Sequence, residues 1–276
     1  MLGKALQIAA GGNSIAGWPD ISTATHVRFE QTTNTMSNKR GVFLKPDGTK
    51  LFALNSNDDL IQYSLSTAWD ISSYTSADRT FQTDQTNNPI PQGLFFKDDG
   101  TEMYINQRGS GTKGVCQYSL TTAWDISTAS YTRKFETTLE TSPYATVFSP
   151  DGLNMYVLGG QQKVFRYTLT TAWDISTASH TSSSSAITIG SEYLTYGLFL
   201  KPEGDRIFVL GQFTDKIYQW NLSTLYDSTG IDSTADSEFS VATQEGDPES
   251  IFISPDGAHL YVGGADGDGI DQYSLG

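Results

Sequence analysis

LTTAWDISTAS, at 120–130, returns letter for letter at 169–179, 49 positions further on. A segment kept that faithfully inside one chain marks a repeat, and repeats are read before anything else. The unit is fixed by a turn: KPDG at 45–48, KDDG at 97–100, SPDG at 149–152, KPEG at 201–204 and SPDG at 254–257. Their glycines, Gly48, Gly100, Gly152, Gly204 and Gly257, are 52, 52, 52 and 53 residues apart. Five copies of one unit therefore fill most of the 276 residues.

Each copy resolves into four strand-like pieces. An apolar run precedes the turn, as in GLFF at 93–96 or GLFL at 197–200, which is the pattern of a strand buried on both faces. The PDG is turn chemistry: proline presets φ, aspartate bonds nearby backbone, glycine takes positive φ. A second strand follows at once: MYI at 103–105, MYVL at 155–158, IFVL at 207–210. The third alternates, with Ile61, Tyr63 and Leu65 on one face and Gln62 and Ser64 on the other. Cys116, Phe165 and Tyr218 take the place of Ile61 in later copies, so the chain's one cysteine fills a core slot as a small apolar residue. TAWDISTAS then leads to a fourth strand such as TRKFE at 132–136. Four antiparallel strands per copy, without helical periodicity, predict an all-β, five-bladed β-propeller. A β-solenoid normally has much shorter repeats.

The ends of the chain show how the ring closes. The last copy stops at its third strand, DQYSLG, with no fourth. WPDISTA at 18–24 and HVRFE at 26–30 supply the missing piece. Blade five is thus expected to combine both termini, with Phe29 in the strand beside that of Tyr273, which removes two open sheet edges. The domain division is one propeller over 18–276 and an N-terminal arm over 1–17, either disordered or an anchor ordered on a neighbouring subunit. The aromatic of the link recurs as Trp18, Trp69, Trp124, Trp173 and Tyr226. Its expected role is packing over the outer strands, and the alternative is a stacking platform for sugar rings. The Asp, Ser and Thr around it are expected to satisfy turn backbone groups.

Composition narrows the partners. With 37% hydrophobic, 12% aromatic and only 17% charged residues, the chain can bury a core and is not of the disordered class. Its 31 acidic and 17 basic residues give a net charge of −14, which repels nucleic-acid phosphates and anionic membranes. One cysteine allows neither an intrachain disulfide nor a thiolate metal cluster. The apolar run at 5–10 is shorter than the ~7–15 residues of a secretory signal core.

The strand-PDG-strand hairpin resembles the YVTN/lactonase-like and TolB-like propeller repeats. The longer pattern GLFFKDDG…MY…QYSLTTAWDISTASY resembles the tandem repeats of virion proteins from tailed phages, particularly marine and cyanobacterial ones. That resemblance covers 18–276 and brings no catalytic motif. It implies a virion structural or appendage protein (head decoration, knob or tail component), located on the particle and joined to other virion proteins through its arm. Alternatives are a glycan- or receptor-binding propeller and a secreted or periplasmic lactonase-like enzyme.

Catalytic propellers work at the channel mouth, where the first strands begin: Asn38-Lys39-Arg40, Ile90-Pro91-Gln92, Tyr144-Ala145-Thr146, Leu194-Thr195-Tyr196 and Pro248-Glu249-Ser250. Only one carboxylate, Glu249, falls in that set, with Asp247 near it, where a glycosidase needs two. His26, His180 and His259 are expected in different blades, on or before a fourth strand or after a turn, unable to converge on a metal or a serine. No catalytic, cofactor-binding or metal-binding residue is therefore assigned, and no cofactor is expected. Partner contacts are expected where a copy departs from the others. These are Leu2, Leu6 and Ile8 in the arm, Arg108 and Lys113 in the loop QRGSGTKG at 107–114, and Tyr193 and Tyr196 after the serine-rich segment from 180. That segment is either an irregular fourth strand or part of a partner surface. GADGDGID at 264–271 resembles a calcium loop but aligns with an ordinary hairpin; Asp266, Asp268 and Asp271 leave both readings open. Asp271 stands where other copies are apolar, so it needs a partner, an exposed place or a bulge.

Overall fold

A computed structural model of the chain describes residues 17–31, 38–83, 90–109, 113–187 and 194–276. Twenty strands form five four-stranded antiparallel sheets arranged as a five-bladed β-propeller. Blade one comprises β2 (Lys39–Leu44), β3 (Lys50–Asn55), β4 (Asp59–Ser64) and β5 (Ala77–Gln82). Blade two holds β6 (Pro91–Phe96), β7 (Glu102–Gln107), β8 (Gly114–Leu120) and β9 (Ala129–Glu136). Blade three holds β10 (Pro143–Phe148), β11 (Asn154–Gly159), β12 (Val164–Leu169) and β13 (Ala178–Ser183). Blade four holds β14 (Thr195–Leu200), β15 (Arg206–Gly211), β16 (Lys216–Asn221) and β17 (Ser237–Ser240). In blade five β18 (Pro248–Ile253), β19 (His259–Gly264) and β20 (Gly269–Ser274) are completed by β1 (Thr25–Gln31).

The joint between the chain ends is a full ladder. Thr25 pairs with Ser274, His26 with Tyr273, Phe29 with Asp271 and Gln31 with Gly269, with one irregularity between His26 and Arg28. Asp271 finds its partner here: His26 Nε2 lies 2.8 Å from Asp271 Oδ1.

The first strands are buried nearly throughout, as their apolar runs predict. Cys116 is buried in the core slot expected of it. The link between third and fourth strands forms a one-turn 3-10 helix in every blade. Its aspartate caps that turn, as Asp125 Oδ1 does by accepting from Ser127 N at 3.0 Å. The following isoleucine, Ile21, Ile71, Ile126 or Ile175, is wholly buried.

The link tryptophans do pack, but not over the outer strands. Trp124 lies against Phe96 of its own blade and Phe43 and Phe52 of the blade before it. Trp173 lies likewise against Phe148, Phe95 and Tyr104, and Trp18 against Phe199 and Phe208. They are wedges between neighbouring blades, seated on the first two strands. Each also sits on the glycine of its own blade's PDG turn. A Cβ on Gly152 would come within 2.4 Å of the Trp173 ring, and its φ is +69°. Glycine is required there twice over, by backbone and by ring.

The seams carry a second repeated device. The glutamine of the third strand, polar as expected, is buried rather than exposed, because its face meets the next blade's link. Gln272 Nε2 donates to Trp69 O at 2.9 Å and Gln117 Nε2 to Trp173 O at 3.1 Å. A second-strand tyrosine adds to this: Tyr104 OH donates to Trp173 O (2.7 Å), Tyr156 OH to Tyr226 O (2.6 Å) and Tyr261 OH to Trp69 O (2.7 Å). From the fourth strand, Arg28 reaches Asp70 and Ser72, and Arg133 reaches Asp174 and Ser176.

Candidate functional site

The upper mouth of the channel is built by β-bulges. In four first strands the ladder slips one residue after its first pair, leaving Arg40, Tyr144, Tyr196 and Glu249 outside the regular register. A bulge re-aims a side chain. In blade two the slip falls on Gly93, at φ +54°, so Gln92 stays in the ladder. Period-two reading of the sequence does not reveal this device, since one extra residue leaves composition unchanged.

Two groups of side chains result. In the first, Asn38 Nδ2 donates to Glu249 Oε1 at 3.1 Å, and Arg40 Nε lies 3.8 Å from Glu249 Oε2, beyond hydrogen-bond reach. Burial pushes the Glu249 carboxyl above its usual range, against the pull of Arg40 and Asn38. In the second, the Tyr144 and Tyr196 rings stack at 4.2 Å. The Arg108 guanidinium lies 5.2 Å from the Tyr144 ring centre, and its Nη1 donates to Tyr196 OH at 3.4 Å. Burial, then the neighbouring Tyr196, pushes the Tyr144 hydroxyl up to about 12.

The space between them is small. Arg40, Tyr196, Glu249 and Thr146 line a cavity of about 20 Å³, room for about one water molecule. Below it the channel is shut. Phe43, Phe95, Val147, Phe199 and Phe252 occupy the same position in the five first strands. Phe43 lies 5.8 Å from Phe95 and 5.0 Å from Phe252, which lies 5.9 Å from Phe199. The lower mouth is apolar, about 80 Å³, and framed by Pro46, Pro150, Pro202, Pro255 and Asp98.

Of the residues singled out in the sequence, the fold brings Arg108 and Tyr196 together and adds Tyr144 to them. Lys113 stands just ahead of β8, and no hydrogen bond or ion pair among the described residues joins it to the group. Leu2, Leu6, Ile8 and Tyr193 lie outside the described residues, as do the arm over 1–16 and part of the segment from 180. Lys39, expected at the mouth, turns away, and its Nζ donates to Asp268 O at 2.7 Å. Desolvation holds its ammonium down to about 8.

The three aspartates of the calcium-like loop do not converge. Asp266 Oδ2 accepts from Gly246 N at 3.2 Å, Asp268 offers its carbonyl to Lys39, and Asp271 faces His26. Gly267 and Asp268, both at positive φ, close the four-residue hairpin loop between β19 and β20. Among the described residues no group of three or more His, Cys, Asp or Glu could hold a metal ion. The histidines depart from expectation in two respects, the first being that His26 and His259 share blade five, on β1 and β19 with β20 between them. His259 stacks on Trp69 at 6.0 Å instead. His180 lies within β13 rather than ahead of it.

No protein-family model matches the chain, and no curated protein matches it.

Proposed function

We propose that the chain is a non-catalytic structural or appendage protein of a virion, presenting a rigid propeller and joined to other particle proteins through its N-terminal arm. The observation that carries the non-catalytic part is the channel. A propeller enzyme needs a mouth that admits substrate; this one has room for about one water above a plug of four phenylalanines and a valine. Among the described residues Glu249 is the only carboxylate lining the upper-mouth cavity, where a glycosidase needs two. The virion part rests on the resemblance of the repeats at 18–276. The net charge of −14 favours protein partners over nucleic acid or anionic membrane.

The test is co-sedimentation. Full-length chain and a variant lacking residues 1–15 are supplied to cells producing tailed particles that encode this repeat, and the particles are banded on a density gradient. The full chain is expected in the particle band and the truncated, folded propeller in the soluble fraction. Full-length chain found only in the soluble fraction overturns the reading. Equal incorporation of both forms overturns the anchor role of the arm.

A further inference from the structure

Among the described residues, the seam between blades one and two is the one whose link carbonyl takes no side-chain donor from the preceding blade. In the other four, the carbonyl of the link aromatic accepts a hydrogen bond from the preceding blade. Tyr104 and Gln117 serve Trp173, Tyr156 serves Tyr226, and Tyr261 and Gln272 serve Trp69. Trp18 O takes Arg206 Nη1 at 2.9 Å. Blade one has Phe52 where blade two has Tyr104, and Lys50 where blade two has Glu102. The Trp124 carbonyl receives no side-chain donor among the described residues. Gln62 accepts from Ile126 N at 3.2 Å, but unlike Gln117 and Gln272 it sends no amide N–H to the tryptophan carbonyl. Arg79, which by analogy with Arg28 and Arg133 would close the seam, stays 3.8 Å from Asp125 and donates instead to the Asp78 carbonyl.

The seam therefore gapes. Lys50, Gln62, Asp78, Arg79, Trp124 and Asp125 line an open cleft of about 420 Å³. That falls within the ~300–1,000 Å³ typical of small-molecule sites, whereas the channel cavities fall far below it. Its walls are polar and self-balanced. Two cations, Lys50 and Arg79, stand against two carboxylates, Asp78 and Asp125, so neither sign of net charge is favoured. The lining residues supply both donors (the two cations and the Gln62 amide) and acceptors (the Trp124 carbonyl and the carboxylates, each of which also accepts from a serine). A hydroxyl group donates and accepts at once and suits a wall that carries both kinds of group.

We propose that this seam is a binding cleft for a short, uncharged, hydroxyl-rich ligand of the saccharide class. The site stands apart from the channel mouth and does not depend on the chain being part of a particle.

The test uses the full chain and ligand-observed NMR saturation transfer. The probes are glucose, galactose, mannose, N-acetylglucosamine, lactose and maltose, with glycine and glutamate as charged controls. Saturable binding of at least one saccharide, and of neither amino acid, is expected. The variant Lys50→Glu with Phe52→Tyr writes blade two's residues into blade one and should close the seam. It is expected to weaken binding about tenfold or more without lowering the melting temperature, as loss of one or two hydrogen bonds and the space for the ligand would do. Asp78→Ala, a substitution at the outer edge strand, should weaken binding in the same direction and serves if the double variant folds poorly. The proposal falls if no saccharide saturates, if only the amino acids do, or if binding survives both variants unchanged.

Discussion

Removing His26 should cost more than removing the carboxylate it faces. Asp271 is 1% exposed, and Oδ1 touches His26 Nε2 at 2.8 Å while Oδ2 has no partner. In His26→Ala, Oδ1 loses its protein partner, and neither oxygen then has one in the interior of blade five. Breaking a buried pair from one side costs ~3–5 kcal/mol, but His26 is about a third exposed and water can follow it out, so we expect about 2 kcal/mol. For a chain of this size that lowers the melting temperature by roughly 4–8 °C. Asp271→Ile should not destabilise, because Ile61 fills the equivalent place in blade one. In that background His26→Ala should cost under about 0.5 kcal/mol, giving a coupling energy of about 1.5–2 kcal/mol. The sign with pH is fixed by direction. Burial raises the Asp271 carboxyl above its usual value, and His26 opposes that rise. A raised carboxyl binds more protons folded than unfolded, so stability falls as pH climbs from the ordinary carboxylate range through the raised one. Without His26 the rise is larger, and the penalty of His26→Ala should be greater at pH 7 than at pH 4. Urea melts of the four proteins at both pH values measure all of this. A His26→Ala protein as stable as the wild type at pH 7, or an Asp271→Ile protein losing as much as His26→Ala, would refute the reasoning.

Three further outcomes are expected. Gly152→Ala places a Cβ 2.4 Å from the Trp173 ring at a φ of +69°, so backbone strain of about 1–2 kcal/mol and overpacking of about 1–3 kcal/mol should together cost 2–5 kcal/mol, read by urea denaturation. Tyr261→Phe removes the hydroxyl that donates to Trp69 O at 2.7 Å and should cost about 1 kcal/mol, whereas Phe52→Tyr, which supplies the missing donor at the first seam, should cost nothing or stabilise. Glu245 is fully buried and accepts from Asp247 N and Asp266 N, and desolvation raises its carboxyl to about 7. Its contribution to stability should therefore fall as pH rises from about 4.5 to 7, by up to about 3 kcal/mol. Glu245→Gln keeps an acceptor for both amides and should flatten stability over that pH window.

The ring and its closure were legible because repetition makes its own alignment. Five PDG turns set the register, and the missing fourth strand after Gln272-Tyr273-Ser274 matched the spare one at 26–30. Period-two patterning then placed Ile61, Tyr63 and Cys116 in the core correctly. It failed where one blade meets the next, because contacts between copies leave no periodic trace within a copy. Trp124 reads as an outer-strand residue until its positive φ of 61° turns the ring inward between blades. Gln62 reads as solvent-facing until the neighbouring link covers it. The mouth was located to within a residue, yet which side chain points into it depends on a bulge. Lys39 and Arg40 are adjacent in sequence, but one is spent on the Asp268 carbonyl and the other faces Glu249 at 3.8 Å across the mouth.

Identical copies would make identical seams, so the departures measure where the ring is strong. The joint between the chain ends is not the weak place: it has a ladder along β1, a His26–Asp271 side-chain contact at 2.8 Å, and Arg28 reaching across to Asp70 and Ser72 of blade one. The seam from blade three to blade four is thinner. Arg166 replaces the glutamine and is turned to Asn154, and Ser182, buried without a partner at its hydroxyl, stands near where Arg133 stands one blade earlier. It keeps the Tyr156 hydrogen bond to Tyr226 O, and its rings stay closed over Gly204. The seam from blade one to blade two has the opposite balance: it keeps its tryptophan fully wedged but has no tyrosine donor, and its Arg79–Asp125 pair is loose, 3.8 Å apart with no hydrogen bond between them. Apolar packing there holds the blades together while the polar layer outside stands open. A ring that only had to be rigid would gain by restoring the hydroxyl of Phe52, a change of one oxygen atom. That this copy alone combines an intact wedge with an open polar wall is the physical reason to look for a ligand at this seam rather than in the channel.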